Sequence, residues 1–571
     1  MTESPTIQFV SPRPSVEIHL PGGQVISGPR GAAIVEFLNI LPDHETDPIV
    51  GAVVNDQLRE LTYKLQMDAN VRLVTMGDAD GMRFYRRSLT FLLESAFHEL
   101  HPDAFLTVDH SVSSGGYYCQ VSDHAPLSSE ELTELEERMQ QIVVEDLPFT
   151  RNEVPIQEAI AYFEALGYTD KVRLLRHRKK EYLVLYKLGE HRDYHHGYMV
   201  PSSSYLKWFK LIPTGEGFTL RFPRRHNPTE LLPLPDYPTL LSTFHQYGAW
   251  LQRMGIDSVG ALNDAIAEGR HREIVLISEA LHEQRIAEIA RQIADHADQL
   301  RVILIAGPSS SGKTTFSKRL AIQLLARGIS PYPIEMDNYF VNRDLTPRDE
   351  NGEYDFESIK ALNTAKLGKD LQALSTWQTV QLPRYDFKSG KSEPGQIIQL
   401  HPGQIVILEG IHGLNPELIP DIPTDKTFRI YISALTQLNL DRHNRVSTTD
   451  TRLIRRIVRD ARERGYSAQD TIGRWESVRR GEKRYIFPYQ ENANVMFNSA
   501  LVYELSALKP FAEPLLRQVP FGTPEHIEAK RLLTFLEWFL PMDDSLVPNN
   551  SILKEFIGDS GLKDFHIWQN H

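Results

Sequence analysis

The stretch Arg301–Gly328, "RVILIAGPSSSGKTTFSKRLAIQLLARG", decides the fold of the carboxy-terminal half of this 571-residue chain. Its first residues form an uninterrupted apolar run, which reads as a buried strand. The run enters a loop, Gly307-Pro308-Ser309-Ser310-Ser311-Gly312-Lys313-Thr314-Thr315, and an amphipathic helix follows. Strand, glycine-rich loop and helix in that order make a phosphate-binding loop. The glycines let backbone amides approach an anion, and the helix N-terminus adds partial positive charge. Lys313 is placed to reach the β- and γ-phosphates of ATP, and Thr314 to ligate magnesium. The loop by itself leaves open whether it serves a kinase, a GTPase or a motor ATPase.

The next predicted strand ends in "YPIEMDNYF". An acid at the carboxyl end of a parallel strand faces the crevice where α/β proteins bind ligands. Asp337 is therefore placed to take a proton from an attacking hydroxyl. Strands and helices alternate from Arg301 onward, the pattern of a doubly wound parallel sheet.

Several further motifs follow in order: "EYDFES", "LPRYDFKSGKS", "VILEGIHGL" and "DTRLIRRIVRDARERG". With the loop and "MDNYF" they make residues 301–508 resemble the uridine kinase and phosphoribulokinase group. The resemblance implies transfer of a phosphoryl group from ATP to a sugar hydroxyl, the 5′-hydroxyl in nucleoside kinases. It implies Asp337 as general base, Asp355 on the ribose hydroxyls and Tyr385 beside the base. It implies Thr314 and Glu409 as holders of magnesium. Arg452, Arg455 and Arg459 recur at three- and four-residue steps and share a helix face. In the family this segment is a lid over ATP, and with Lys313 its arginines would neutralise charge spreading over the transferred group. One position departs from the family: Gly390 stands where uridine-cytidine kinases carry a pyrimidine-reading histidine. A non-nucleoside sugar or sugar phosphate is therefore the alternative acceptor.

The amino-terminal half reads as two α+β units. "SVEIHL", "VISG", "IVGAVVNDQLRELTYKL" and "ANVRLVTM" give strands around the helix "GAAIVEFLNIL". Beyond Asp78, "RFYRRSLTFLLESAFHEL" has helical period, Ser128 and Glu131 form a capping box, and "EYLVLYKL", "YMVPS", "LKWFKLI" and "GFTLRFP" read as strands. The first unit resembles the ubiquitin-like TGS domain. The second, carried by "YRRSLTFLL", "DLPFTRNEVPIQEAIAYFEALG" and "HHGYMVPSSSYLKWFKL", resembles the editing domain of threonyl-tRNA synthetase. The family's editing residues correspond here to Arg87, Phe91, His195 and Met199. That set lacks the convergent ligands that editing or metal chemistry needs, so the resemblance implies a degenerate site.

The expected organisation is a TGS-like domain over 14–77, an editing-like domain over 78–226, a linker and helical segment over 227–299, the phosphate-loop unit over 300–510 and a helical extension over 511–571. A net charge of −13 argues against generic nucleic-acid coating. The strip Arg173, Arg176, Arg178, Lys179 and Lys180 is read as a solvated face in preference to an RNA contact; an RNA- or ribosome-associated ATP-dependent factor and a homo-oligomer stay open as alternatives. A lone cysteine, Cys119, excludes an intrachain disulfide framework. With no secretory pattern in "MTESPTIQFVSPRPS" and no apolar run of bilayer length, the expectation is a cytoplasmic protein without membrane contact.

Overall fold

All five residues of the strand Val302–Ala306 are buried, and its alternate side chains go to two different cores. Ile303 and Ile305 face one side, against Phe316, Leu320 and Leu324 of the helix Lys313–Leu325. Val302 and Leu304 face the other, against Leu367, Leu371 and Leu374 of the helix Thr364–Ser375. A strand covered on both faces has no polar side to present, which is why its sequence is continuously apolar. The computed structural model describes residues 11, 13–41, 46–112, 115–348, 352 and 354–565. The leading segment to Val10 and Glu353 of "EYDFES" lie outside these.

The strand is the middle of a five-stranded parallel sheet, in spatial order Ser330–Glu335, Gln404–Glu409, Val302–Ala306, Thr427–Ser433, Val495–Asn498. Glu409 is in register with both Glu335 and Ile305. The carboxyl ends of three neighbouring strands therefore bring the phosphate loop, Asp337 and Glu409 to one edge, as expected of this sheet class.

The amino-terminal residues form a five-stranded mixed sheet closed by the short helix Ile34–Leu38 around Val16, Ile18, Phe37 and Leu61. Next comes the helix Ala79–Leu100, buried along most of its length against a four-stranded antiparallel sheet. The helix Ser129–Glu145 begins at the expected capping box: Ser128 N donates to Glu131 Oε2 at 2.8 Å, and Glu131 N to Ser128 Oγ at 3.2 Å.

Two strand expectations are corrected. "YMVPS" is not a strand. Val200 N donates to Ser88 Oγ at 2.9 Å and Ser203 Oγ to Ile142 O at 2.6 Å, so side-chain and loop partners take the groups a ladder would use. In "LKWFKLI" the strand starts only at Lys210. Within the expected linker and helical segment, the helices Pro238–Met254, Val259–Ala267 and His271–Ala294 share the core of the phosphate-loop unit. The helix Glu504–Arg517 also crosses the expected 510/511 boundary with Pro510 inside it. Pro510 cannot donate to Ser506 O, and Met542 N fills that carbonyl at 3.0 Å. Among the described residues no helix is long and apolar enough to cross a membrane.

Candidate active site

Gly312 caps the helix Lys313–Leu325 with φ +86°, a left-handed conformation that a side chain would strain. A Cβ there would also meet Ile552 Cγ2 at 2.5 Å. Lys313 follows directly, its Nζ donating to Pro308 O at 3.2 Å. Thr314 Oγ1 donates to Glu409 Oε1 at 2.9 Å, joining the loop to the neighbouring strand end. Burial pushes the Glu409 carboxyl up to about 7, against the pull of Lys313 and Thr314. These are hard oxygen donors beside a phosphate cradle, and they fit a magnesium ion.

Asp337 sits in the short turn Met336–Tyr339 just past its strand. Burial raises its carboxyl pKa, and Lys313 opposes the rise. It lines a cavity of about 430 Å³ with Arg343, Glu357, His412 and the rings of Phe340, Phe356 and Phe387. Burial, with Glu482 nearby, lifts the Glu357 carboxyl to about 7. His412 is 1% exposed and lies beside the Glu357 backbone. Burial holds it neutral by lowering it to about 4.

Two sequence-predicted acceptor residues lie behind this cavity. Asp355 accepts from Tyr485 Oη at 2.9 Å and from Glu357 N at 3.2 Å. Tyr385 is buried with its ring 5.5 Å from Phe340 and 5.1 Å from Phe387. Asp355 holds the backbone of Glu357, and Tyr385 supports the aromatic wall. Glu357, Arg343 and His412 were missed by sequence reading. Glu357 lies two residues past Asp355 and His412 three past Glu409, so both sit inside motifs already singled out. Gly390 has φ +71°, and a Cβ there would lie 2.8 Å from Arg343 Cζ. The guanidinium of Arg343 therefore stands where the family's histidine side chain would start.

The arginine helix, Thr448–Arg464, carries two kinds of arginine. Arg452 and Arg455 are buried and ion-paired with Glu482 and Glu504. Arg452 Nε also donates to Ser309 O at 3.1 Å, and Arg455 Nη1 to Ser310 O at 3.3 Å. Both thus hold backbone carbonyls of the phosphate loop, a positioning contact for two of the three arginines expected on one face. Arg456, one turn on from Arg452 and over the same Trp475 ring, reaches Ser309 Oγ at 2.8 Å. Arg459 contacts Asp460 at 3.2 Å, and its charge helps burial lower Lys313.

The editing-like pocket is rebuilt. Phe91 packs its ring 5.0 Å from His191 and 5.6 Å from His195; Arg87 donates to Tyr198 O. Around His195 lie groups from outside the family's positions. His195 Nε2 is 3.0 Å from Glu94 Oε1, and His443 Nδ1 is 2.8 Å from Asp193 Oδ2. Glu94, Asp193 and His443 bring ligand atoms within 4.8 Å of one another. Lys171, fully buried, binds the other Asp193 oxygen at 2.9 Å and Asp441 at 3.2 Å. Burial opposes its charge, but the two aspartates raise its pKa further. Three carboxylates thus face one ammonium and two imidazoles, a network that ties the two halves of the chain together.

Comparison with known proteins agrees with this division. The model of the phosphoribulokinase / uridine kinase family matches residues 302–506. Over 198 residues the chain is 33% identical to a threonine–tRNA ligase of Burkholderia mallei strain SAVP1, covering 34% of this chain and 31% of that protein; this likeness falls in the amino-terminal region. The chain therefore spans about a third of the length of the curated relatives it matches. Among solved structures, a possible uridine kinase from Bacillus stearothermophilus aligns at 20% identity over 38% of this chain and 97% of its own, with a TM-score of 0.23. A phosphoribulokinase from Rhodobacter spheroides aligns at 16% identity over 35% and 70%, with a TM-score of 0.24. Residues 302–506 are thus similar to the phosphoribulokinase / uridine kinase family.

Proposed function

We propose that this protein is an ATP-dependent kinase that transfers the γ-phosphoryl group to the 5′-hydroxyl of a nucleoside. The observation that carries the proposal is the meeting of Lys313, Thr314, Glu409 and Asp337 at the carboxyl ends of adjacent parallel strands, beside a separate cavity lined by Asp337. Residues Gly307 to Thr315 cradle the phosphates. Thr314 and Glu409 would hold magnesium, which screens the phosphate oxygens. Asp337 accepts the proton of the attacking hydroxyl. Its raised pKa makes it a better base near neutrality than an exposed aspartate. Glu357 offers a carboxylate to the acceptor's hydroxyls, held in place by Asp355. Phe340, Phe356 and Phe387 supply faces on which a flat base can stack. Arg456 and Arg459 offer charge to the phosphates, while Arg452 and Arg455 fix the loop.

A second reading rests on Arg343. Its guanidinium faces the acceptor cavity and fills the place of the family's base-reading histidine, which favours an acceptor with an anionic group, such as a sugar phosphate. One experiment separates the two. The purified chain is given ATP, magnesium and a panel of nucleosides, sugars and sugar phosphates, and the product is identified by mass spectrometry. A phosphorylated nucleoside supports the first reading and a sugar bisphosphate the second. ADP formation no greater than that of Asp337→Asn with every acceptor overturns both.

A further inference from the structure

The rebuilt editing-like pocket opens into a cavity of about 300 Å³ where three parts of the chain meet. Arg86 and Arg87 come from the helix Ala79–Leu100, Arg445 from the loop before the arginine helix, Arg479 and Lys483 from the helix Ala468–Tyr485, and Arg531 from the helix Pro524–Leu536. The acids on the wall, Asp450 and Glu476, are already engaged: Asp450 by Arg531 at 2.8 Å and Glu476 by Arg225.

Four cations in this wall have no carboxylate partner among the described residues. Arg86 lies 4.9 Å over the Phe222 ring, with its Nε buried and lacking a hydrogen bond. Arg87 donates to the carbonyl of Tyr198. Arg445 lies 4.9 Å over the Tyr117 ring and donates to Val446 O at 3.1 Å, with its Nε also buried and without a partner. Lys483 makes no ion pair among the described residues, and burial, with Arg479, Arg225 and Arg224 around it, lowers its ammonium to about 8. Like charges gathered out of bulk water repel, and each has lost hydration. A protein carrying −13 overall, with acids to spare, nevertheless leaves this one cavity strongly basic. An anion would balance it.

We infer that this cavity is a binding site for a phosphorylated small molecule with three or more negative charges, a nucleoside polyphosphate or a polyphosphate chain. The phosphates would lie among Arg86, Arg87, Arg445 and Lys483. Trp475, Tyr117 and Phe535 line the same space and offer aromatic faces to an organic part. The volume suits a small ligand and not a folded nucleic acid. The site is distinct from the phosphate loop but shares a carboxylate with it. Arg479 in the cavity bonds Glu482 Oε2 at 2.9 Å, and Glu482 Oε1 accepts from Ser309 N at 3.1 Å.

The test uses the full-length chain carrying Lys313→Ala, which disables the phosphate loop. Calorimetry is run with inorganic tripolyphosphate, with GTP and with a twelve-nucleotide single-stranded RNA. The expected result is saturable one-to-one binding of tripolyphosphate or GTP, weakened at least tenfold by Lys483→Gln and by Arg86→Gln. Melting temperatures serve as the check on folding, and Lys483→Gln, on the half-exposed wall, keeps the test valid where Arg86→Gln unfolds. Tighter binding of GTP identifies an organic part against the rings; equal binding identifies the phosphate chain alone. Absence of saturable binding by both, binding indifferent to both substitutions, or RNA bound in preference to either overturns the inference.

Discussion

Glu555 accepts hydrogen bonds from both the amide and the hydroxyl of Thr315, at 3.2 and 2.8 Å. Thr315 lies in the first turn of the helix that follows the phosphate loop, where amides have no partner inside the helix. A carboxylate from the carboxy-terminal extension thus occupies donors that a phosphate would use. Lys318 fixes the same extension, donating to Leu562 O at 2.6 Å and Lys563 O at 3.1 Å. Nucleotide and Glu555 compete for one set of donors. Glu555→Gln is expected to lower the KM for ATP by about tenfold, the effect of removing about 1.4 kcal/mol of competition. Steady-state kinetics at saturating acceptor checks it; an unchanged or raised KM shows that ATP binds without displacing Glu555.

Arg455 and Arg456 are neighbours on one helix, but their contacts predict opposite phenotypes. Arg455→Ala leaves buried Glu504 without its partner, which is expected to destabilise the fold by about 3–5 kcal/mol. Arg456→Ala removes a contact to Ser309 Oγ from a less buried position. It is expected to leave the melting temperature within a few degrees while lowering kcat/KM for ATP at least tenfold. Thermal unfolding and kinetics on both variants decide between this assignment and a common lid role.

The phosphate loop, the parallel sheet, Asp337 and Glu409 were legible in the sequence because each is a local pattern, a run of apolar residues or a motif at a strand end. The degenerate editing site was legible as a loss: Arg87, Phe91 and Met199 could be read directly. What replaced it was not, because Glu94, Asp193, Lys171, Asp441 and His443 meet only after two domains pack, and no spacing joins residues 94 and 443. The inward role of Arg452 and Arg455 was hidden for the same reason. Helical period gives a shared face, but Glu482 and Glu504 on other elements decide which way that face points.

Lys171 tests the union of the two halves. It is the one ammonium among Asp193, Asp441 and Glu94, all buried. Lys171→Met keeps the side chain's bulk and removes its charge. Asp193 then keeps its ion pair with His443, and Asp441 its hydrogen bonds from Tyr194 and Asn444, and the expected loss is about 3–5 kcal/mol. Denaturant titration of the full chain measures it. A loss below about 1 kcal/mol would mean that water or protonation already shares the charge.

Glu357 gives the pH dependence. Its carboxyl titrates at about 7 in the folded chain, against an ordinary value of 4.5. Between these values the folded state holds a proton that the unfolded state has released. Stability therefore falls as pH rises from about 4.5 to about 7, and changes no further through this group above that range. Glu357→Gln keeps the neutral shape at every pH and removes that slope. Its melting temperature is expected to match the parent's near pH 4.5 and to exceed it by several degrees at pH 7.5, with no ligand added. Because the ionised carboxylate is also the proposed partner of the acceptor hydroxyls, the same variant is expected to raise the acceptor KM at pH 7.5 much more than at pH 6. A higher melting temperature joined to weaker acceptor binding is the signature of a group strained for function. Equal melting curves at both pH values would place the Glu357 titration at its ordinary position and remove it from the acceptor site.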